Sequence, residues 1–192
     1  MSSVAKTASR MHVGQERTPA TVGYRAAKTG IECPRGDQLS SPMTATIEVD
    51  LRQADDDDLP FLLALRRQTM TEHEAAVGKL RSPTEVHARV MAAFEAARII
   101  LLQGAPVGMM KVVQTDREWK VAQLQIAPEH QRRGIGSLLL HRLRAEARDA
   151  GATLTLSVLK SNPALRLYVR QGFSVIGESS TAYNMRIGDS EK

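Results

Sequence analysis

The feature that most restricts what this chain can fold into is the way its hydrophobic spacing changes between residues 98 and 150. Three strand-length runs follow one another: Arg98 to Gln103, Val107 to Gln114 and Glu118 to Ile126. Turn residues at Gly104-Ala105-Pro106 and near Asp116 separate them. Such spacing predicts a three-stranded meander. The period then switches from 2 to 3.6 over Gly134 to Ala150, where Ile135, Leu138, Leu139, Leu143 and Ala147 share one helical face and Gly151 supplies the stop. A meander that feeds an amphipathic helix needs a sheet with at least one helical layer on it, so the chain is read as α/β with a mixed, mostly antiparallel sheet flanked by about four helices.

The remaining elements fit that frame. Ile47, Val49 and Leu51 alternate with polar residues in a strand from Ala45 to Arg52. The run Asp55 to Asp58 precedes the apolar Leu59, Phe61, Leu62, Leu63 and Leu65, as a helix N-terminus favours, because carboxylates meet its unpaired N–H groups. Adjacent carboxylates on a helix point in different directions, which argues against a metal site there. Ser82-Pro83 opens a second helix through Val86, Val90 and Phe94. Thr153 to Leu159 reads as a strand, Pro163 to Gln171 as a helix, and Phe173 to Gly177 with Ala182 to Ile187 as closing strands.

Residues 1 to 42 show neither period and are rich in Ser, Thr, Gly, Pro, Lys and Arg, so residues 1–43 are expected to be a disordered extension outside the natural product, with the domain at 44–192 and a natural start at Met43. The single cysteine, Cys33, lies in that extension and is assigned no chemistry. No run approaches the ~18 apolar residues that span a bilayer, and no secretory apolar core is present, which leads to the expectation of a cytoplasmic protein with no membrane partner. The net charge of +5 is unevenly spread: residues 43–131 carry ten basic and thirteen acidic side chains, and residues 132–170 carry eight basic and two acidic. A basic C-terminal half suits a small polyanion, and an acidic N-terminal half hints at a cationic partner. Seven aromatic residues provide no stacking platform, so nucleic acid is not expected as a partner.

Two segments carry chemistry. Gln125 to Ser137 runs from strand through a glycine loop into a helix. Gly134 and Gly136 let the backbone approach a phosphate, first-turn N–H groups point at it, and Arg132 and Arg133 add charge. A Gly-x-Gly that merely allows tight packing is the alternative. The Walker pattern and the dinucleotide fingerprint both fail, since no Gly-Lys-Ser/Thr follows and Leu139 stands where a third glycine would be needed. Asn162-Pro163-Ala164, Leu167-Tyr168 and Gly172-Phe173 form the second segment. Asn162 serves equally well as an N-cap or a ligand, and Tyr168 as core or functional residue.

Together, Gln-Arg-Arg-Gly-x-Gly-x-x-Leu-Leu from Gln131 and Asn-Pro-Ala-x-x-Leu-Tyr-x-x-x-Gly-Phe from Asn162 resemble the acyl-CoA-binding half of the GNAT superfamily, the Gcn5-related N-acetyltransferases. The resemblance covers Ala45 to Ile187. It implies a direct acetyl transfer from acetyl-CoA to a primary amine in a ternary complex, with no metal. It also implies that the N–H groups of Gln131, Arg132, Arg133, Gly134, Ile135, Gly136 and Ser137 cradle the pyrophosphate, and that Leu124, Ile126 and Ala127 lie along the pantetheine arm with a backbone N–H aimed at the thioester carbonyl. Asn162 would bind the arm and Tyr168 would stand beside the sulfur. Many relatives place a glutamate on the strand before the loop; here Gln123 and Gln125 stand there, and an amide cannot take a proton. Glu72, His73 and Glu74, placed after the first helix, are the candidate bases through a water relay, with Glu118 behind them. No second His stands at a zinc spacing from His73. A CoA-binding sensor without turnover is the alternative function. A homodimer is compatible with the pattern, which carries no code for assembly.

Overall fold

The structure is a computed structural model that describes residues 48–187. The expected extension at 1–43 lies outside the described residues. Eleven strands and helices follow in chain order: β1 Val49–Gln53, α1 Leu59–Ala76, α2 Pro83–Met91, β2 Ala97–Leu102, β3 Ala105–Gln114, β4 Glu118–Ile126, α3 Ile135–Asp149, β5 Thr153–Leu159, α4 Leu165–Arg170, β6 Ser174–Glu178 and β7 Ala182–Ile187. The strands form one sheet in the order β1-β2-β3-β4-β5-β7-β6. Every neighbouring pair is antiparallel except β4 and β5, whose connection crosses over through α3.

Period-2 alternation distributes the core over both faces. In β2, Ile99 and Ile100 are both fully buried and point to opposite sides. Ile99 joins Met109, Leu62 and Leu65 of α1 and Val90 of α2, whereas Ile100 joins Ile135, Leu139 and Leu143 of α3 together with Leu154, Leu156 and Met185. Helices therefore cover both faces. No helix among the described residues is long and apolar enough to cross a membrane.

The acidic run behaves as expected at its start. The Asp55 side chain accepts from the Asp57 N–H at 3.1 Å, and the Asp55 N–H donates to Asp58 at 3.0 Å, which closes a capping box on a 3-10 turn that leads into α1. Asp58 also takes both Arg52 guanidinium nitrogens, at 2.7 and 2.6 Å, and that contact holds its carboxyl below the usual range. The far end of α1 departs from expectation. Glu72, His73 and Glu74 lie inside the helix, which runs to Ala76 and stops only at Gly78, whose φ of +67° and the Lys79 N–H to Glu74 carbonyl bond of 2.8 Å make a left-handed cap.

The second helix is shorter than its apolar spacing suggests. It opens with the expected Ser82 cap, reinforced by Glu85, but ends at Met91, and Phe94 sits in a separate 3-10 turn. Lys111 of β3 explains the stop. Its side chain is fully buried, and Nζ donates to the carbonyls of Val90 at 2.7 Å and Ala92 at 2.6 Å, the groups a helix end leaves without partners. Burial pushes the Lys111 ammonium pKa below its ordinary value. Replacing Lys111 by Met preserves volume and strands those carbonyls; unfolding in urea is expected to show a loss of about 1–3 kcal/mol, and an unchanged midpoint would refute the anchoring role.

Candidate active site

The site is built where β4 leaves β5. The two strands pair over only four positions, from Glu118 opposite Thr153 to Val121 opposite Leu156, and then part. A bulge lies at the point of parting: Lys111 faces Gln123 while Val112 faces Val121, so Ala122 is an extra residue in β4. Beyond the bulge, β4 stays on β3. The Ala127 N–H donates to the Val107 carbonyl at 2.9 Å, and the alternation of an antiparallel ladder turns the N–H groups of Leu124 and Ile126 the other way, to the edge that β5 has vacated. The Ile126 carbonyl on that edge accepts from the Gln131 side chain at 2.8 Å.

Two cavities meet along this edge. One, of about 750 Å³, is lined by Leu124, Ile126, Gln131, Arg132, Gly134, Ile135, Gly136, Ser137, Asn162 and Tyr168, with Thr69, His73, His130 and Arg170 completing its wall. The other, of about 540 Å³, opens toward α1 and α2. They share Met70, Leu124, Gln125, Asn162 and Tyr168.

Ten of the residues expected at the site thus line one cavity. Two others expected there do not. Ala127 spends its N–H on Val107 and packs its side chain into the core under α1, because it sits one position out of phase with Leu124 and Ile126. Arg133 is exposed and lines neither cavity. The glycines divide the two roles weighed for them. Gly134 holds φ of +85° at the mouth of α3, while a Cβ on Gly136 would come within 3.1 Å of Leu167 Cδ2, so Gly136 serves packing of α3 on α4 as well as lining the cavity.

Asn162 caps α4's approach: its Oδ1 accepts from the Ala164 N–H at 2.9 Å, and the residue lines both cavities. Tyr168 is held edge-on to Phe173, with ring centroids 5.9 Å apart. Burial pushes its phenol up to about 12. A side chain bridge ties the two banks of the cleft together, since Ser161 Oγ donates to the His73 carbonyl at 2.8 Å.

Because α1 is still helical at residues 72–74, successive side chains diverge by about 100°. Glu72 is exposed and lines neither cavity, His73 faces the larger one, and Glu74 is buried in the wall of the smaller one. Glu74 Oε1 accepts from Arg66 Nη2 and from Arg81 Nε at 3.1 Å. Glu118 lies away from the cleft and accepts from Thr155 Oγ1 at 2.8 Å. On β4, Gln123 Nε2 donates to the Arg89 carbonyl at 3.0 Å, and the side-chain oxygens of Gln123 and Gln125 are buried without a partner.

The smaller cavity also corrects the charge hint. Five cationic side chains, Arg66, Arg81, Arg89, Lys111 and Lys120, line it against one carboxylate, Glu74. Acidic excess along residues 43–131 resides elsewhere, much of it in the run Asp55–Asp58 at the opposite end of α1.

Comparisons with known proteins find the same fold. Residues 90–175 match the family model described as the acetyltransferase (GNAT) domain. Among solved structures, PaiA N-acetyltransferase from Thermoplasma acidophilum, in complex with coenzyme A, superposes with a TM-score of 0.58 at 15% identity over 73% of this chain and 98% of that one. Naa50 of Arabidopsis thaliana, in complex with a bisubstrate analogue, superposes with a TM-score of 0.56 at 18% identity over 73% of this chain and 98% of that one. A curated relative, the tRNA(Met) cytidine acetyltransferase TmcA of Aeropyrum pernix, is 33% identical over 55 residues, which is 29% of this chain and 8% of that protein.

Gly108 is the residue on which the free edge leans. A Cβ there would collide with the Gln125 carbonyl oxygen and approach Ile100 Cδ1 and Ile126 Cα to 3.1 Å. Backbone cannot yield as a side-chain tip can, so Gly108→Ala is expected to cost about 1–3 kcal/mol in stability and to disturb the N–H positions of Leu124 and Ile126. Loss of the Leu124 and Ile126 amide signals from their wild-type NMR positions would show it; an unshifted spectrum would count against it.

Proposed function

We propose that this chain, whose residues 90–175 match the acetyltransferase (GNAT) domain, transfers acetyl from acetyl-CoA to a primary amine by direct attack in a ternary complex. The observation that carries this reading is the meeting of two cavities at the unpaired edge of β4, with Tyr168 between them. One cavity has the glycine loop and the start of α3, where backbone N–H groups and Arg132 suit a pyrophosphate. The other takes the acceptor.

In this reading the free N–H groups of Leu124 and Ile126 hold the pantetheine arm by strand-like pairing and stabilise the oxyanion that forms as the amine nitrogen bonds to the thioester carbon. Asn162 positions the arm from the opposite bank. As the carbon–sulfur bond breaks, the electron pair leaves on sulfur and the Tyr168 hydroxyl donates a hydrogen bond to it. With its pKa near 12, Tyr168 would transfer a proton to a thiolate whose acid lies near ~8.5 only far uphill, so it acts as a donor and water supplies the proton. The amine's own proton departs to water in the open cavity. Glu74, held by Arg66 and Arg81, is a positioning residue that orders the acceptor wall.

Two measurements check this. Thermal unfolding in acetyl-CoA at a hundred times its Kd should show the native state stabilised by about 2.7 kcal/mol, and Gly134→Asp, which places a carboxylate at the pyrophosphate cradle, should abolish the shift; a folded wild type that does not shift would overturn the reading. Tyr168→Phe is expected to lower kcat about 10–100-fold with little change in the KM for acetyl-CoA, the value of one hydrogen bond to a developing charge. Free-thiol release gives the rates, and an unchanged kcat would remove Tyr168 from the site.

A further inference from the structure

We propose that the acceptor is a small primary amine that carries an oxyanion, a carboxylate or its phosphate equivalent, seated in the smaller cavity with the anion against Arg89 and the amine against Gln123 and Gln125. The inference rests on the acetyl-transfer reading and names the substrate class of that same site.

The charge inventory of the cavity leads to it. Of the five cationic side chains in the wall, Arg66 and Arg81 are matched to Glu74, and Lys111 spends its ammonium on the Val90 and Ala92 carbonyls. Arg89 and Lys120 have no acidic partner among the described residues, and both are exposed to the cavity's solvent. The single carboxylate is already engaged twice, so nothing in the wall offsets the remaining positive charge. Such a wall attracts an anion and repels a polycation.

The backbone at Arg89 is also held in place. Its carbonyl accepts from Gln123, and the next residue's carbonyl accepts from the buried Lys111, which pins the last turn of α2 to the sheet. The anchored backbone fixes where this side chain starts from, and a guanidinium's planar fork matches a carboxylate or phosphate. Burial lowers the pKa values of Arg66 and Lys111; Glu74 draws Arg66 back up and Glu95 does the same for Lys111, while Arg89 adds to the lowering of both. A bound anion relieves that like-charge field.

The other end of the acceptor is marked by two orphaned acceptors. Gln125 is 5% exposed and its Oε1 has no partner, and Gln123 Oε1 is likewise buried and unpaired while its Nε2 is engaged by Arg89. Both lie on β4 next to the edge where the two cavities join. Amine N–H groups satisfy carbonyl-type oxygens without a charged partner, which suits a neutral amine at the moment of attack. A cavity of about 540 Å³ takes a small molecule.

The test is a matched panel assayed by free-thiol release on the full chain, with the acetyl-CoA thermal shift measured alongside. Its arms are L-amino acids, their α-carboxamides, O-phosphoethanolamine, spermidine and an N-terminal peptide. We expect amino acids or the phosphate amine to exceed the carboxamides by about tenfold or more in kcat/KM, to exceed spermidine and the peptide, and to lose that advantage through KM in Arg89→Gln with partial return in Arg89→Lys. Which oxyanion is preferred separates carboxylate from phosphate. If acetyl-CoA shifts the protein but the carboxamides, spermidine or the peptide are acetylated as well as or better than the oxyanion-bearing amines, this inference fails and the acetyl-transfer reading stands; if acetyl-CoA shifts the protein and no amine in the panel turns over, both fail in favour of a CoA-binding sensor. If acetyl-CoA produces no shift, both fall together.

Discussion

Everything in the site depends on two neighbouring strands separating while each stays bound to its other partner. β4 and β5 share four residue pairs, after which β4 remains hydrogen-bonded to β3 and β5 to β7. A sheet interior that parts in this way exposes one row of N–H and C=O groups that would otherwise be paired, and unpaired backbone groups must find partners or water. Those of Leu124 and Ile126 open onto a cavity. The extra residue at Ala122 bends β4 at the point of parting, and Gly108 lets β3 follow it closely on the other side. An open edge has thus been made from ordinary ladder geometry on a strand in the middle of the sheet.

Charge inside the fold is arranged around that edge. On the α1–α2 side, a buried lysine and a carboxylate between two arginines stand where a core would ordinarily be apolar. Groups of this kind are costly to desolvate, and removing one partner is worse than never having had the pair. Lys111 is held by two helix-end carbonyls, and Glu74 joins α1 to the segment before α2 through Arg81. These contacts set the wall of the smaller cavity and hold the last turn of α2 against the strand that carries Gln123. The opposite face, under α3, is packed almost wholly with Leu, Ile, Val and Met and makes a stiff platform for the glycine loop.

Most of the architecture was legible in the residue order. Alternation in β2 to β4, the 3.6 period of α3, and the caps at Ser82 and Gly151 are local signals, and the elements came within a few residues of expectation. The strand, glycine turn and helix start that line the larger cavity were also legible, because they are contiguous in sequence and their geometry is local. The misreadings were those that local rules cannot reach. Phe94 continues the apolar spacing of α2, yet a lysine from β3 takes the carbonyls at residues 90 and 92 and ends the helix. Ala127 lies in the right stretch of chain but on the wrong phase of the ladder. Lys111, in an otherwise apolar strand and on the inward phase with Met109, was the one visible hint of the second site, since a charge at a core position needs a partner.

What the sequence by itself determined is the set of local elements, their order, and a glycine loop suited to an anion, because these follow from side-chain period, caps and backbone freedom over a few residues. Tertiary structure alone decided where β4 parts from β5, how Glu72, His73 and Glu74 are dealt to solvent, cleft and core, and that Arg66, Arg81, Arg89, Lys111 and Lys120 face one cavity. Summed along the chain, residues 43–131 are acidic; around the cavity they are basic. Electrostatic attraction acts through distance in space and is indifferent to distance along the chain, so the sign of this cavity's wall emerges only once the helices are laid against the sheet.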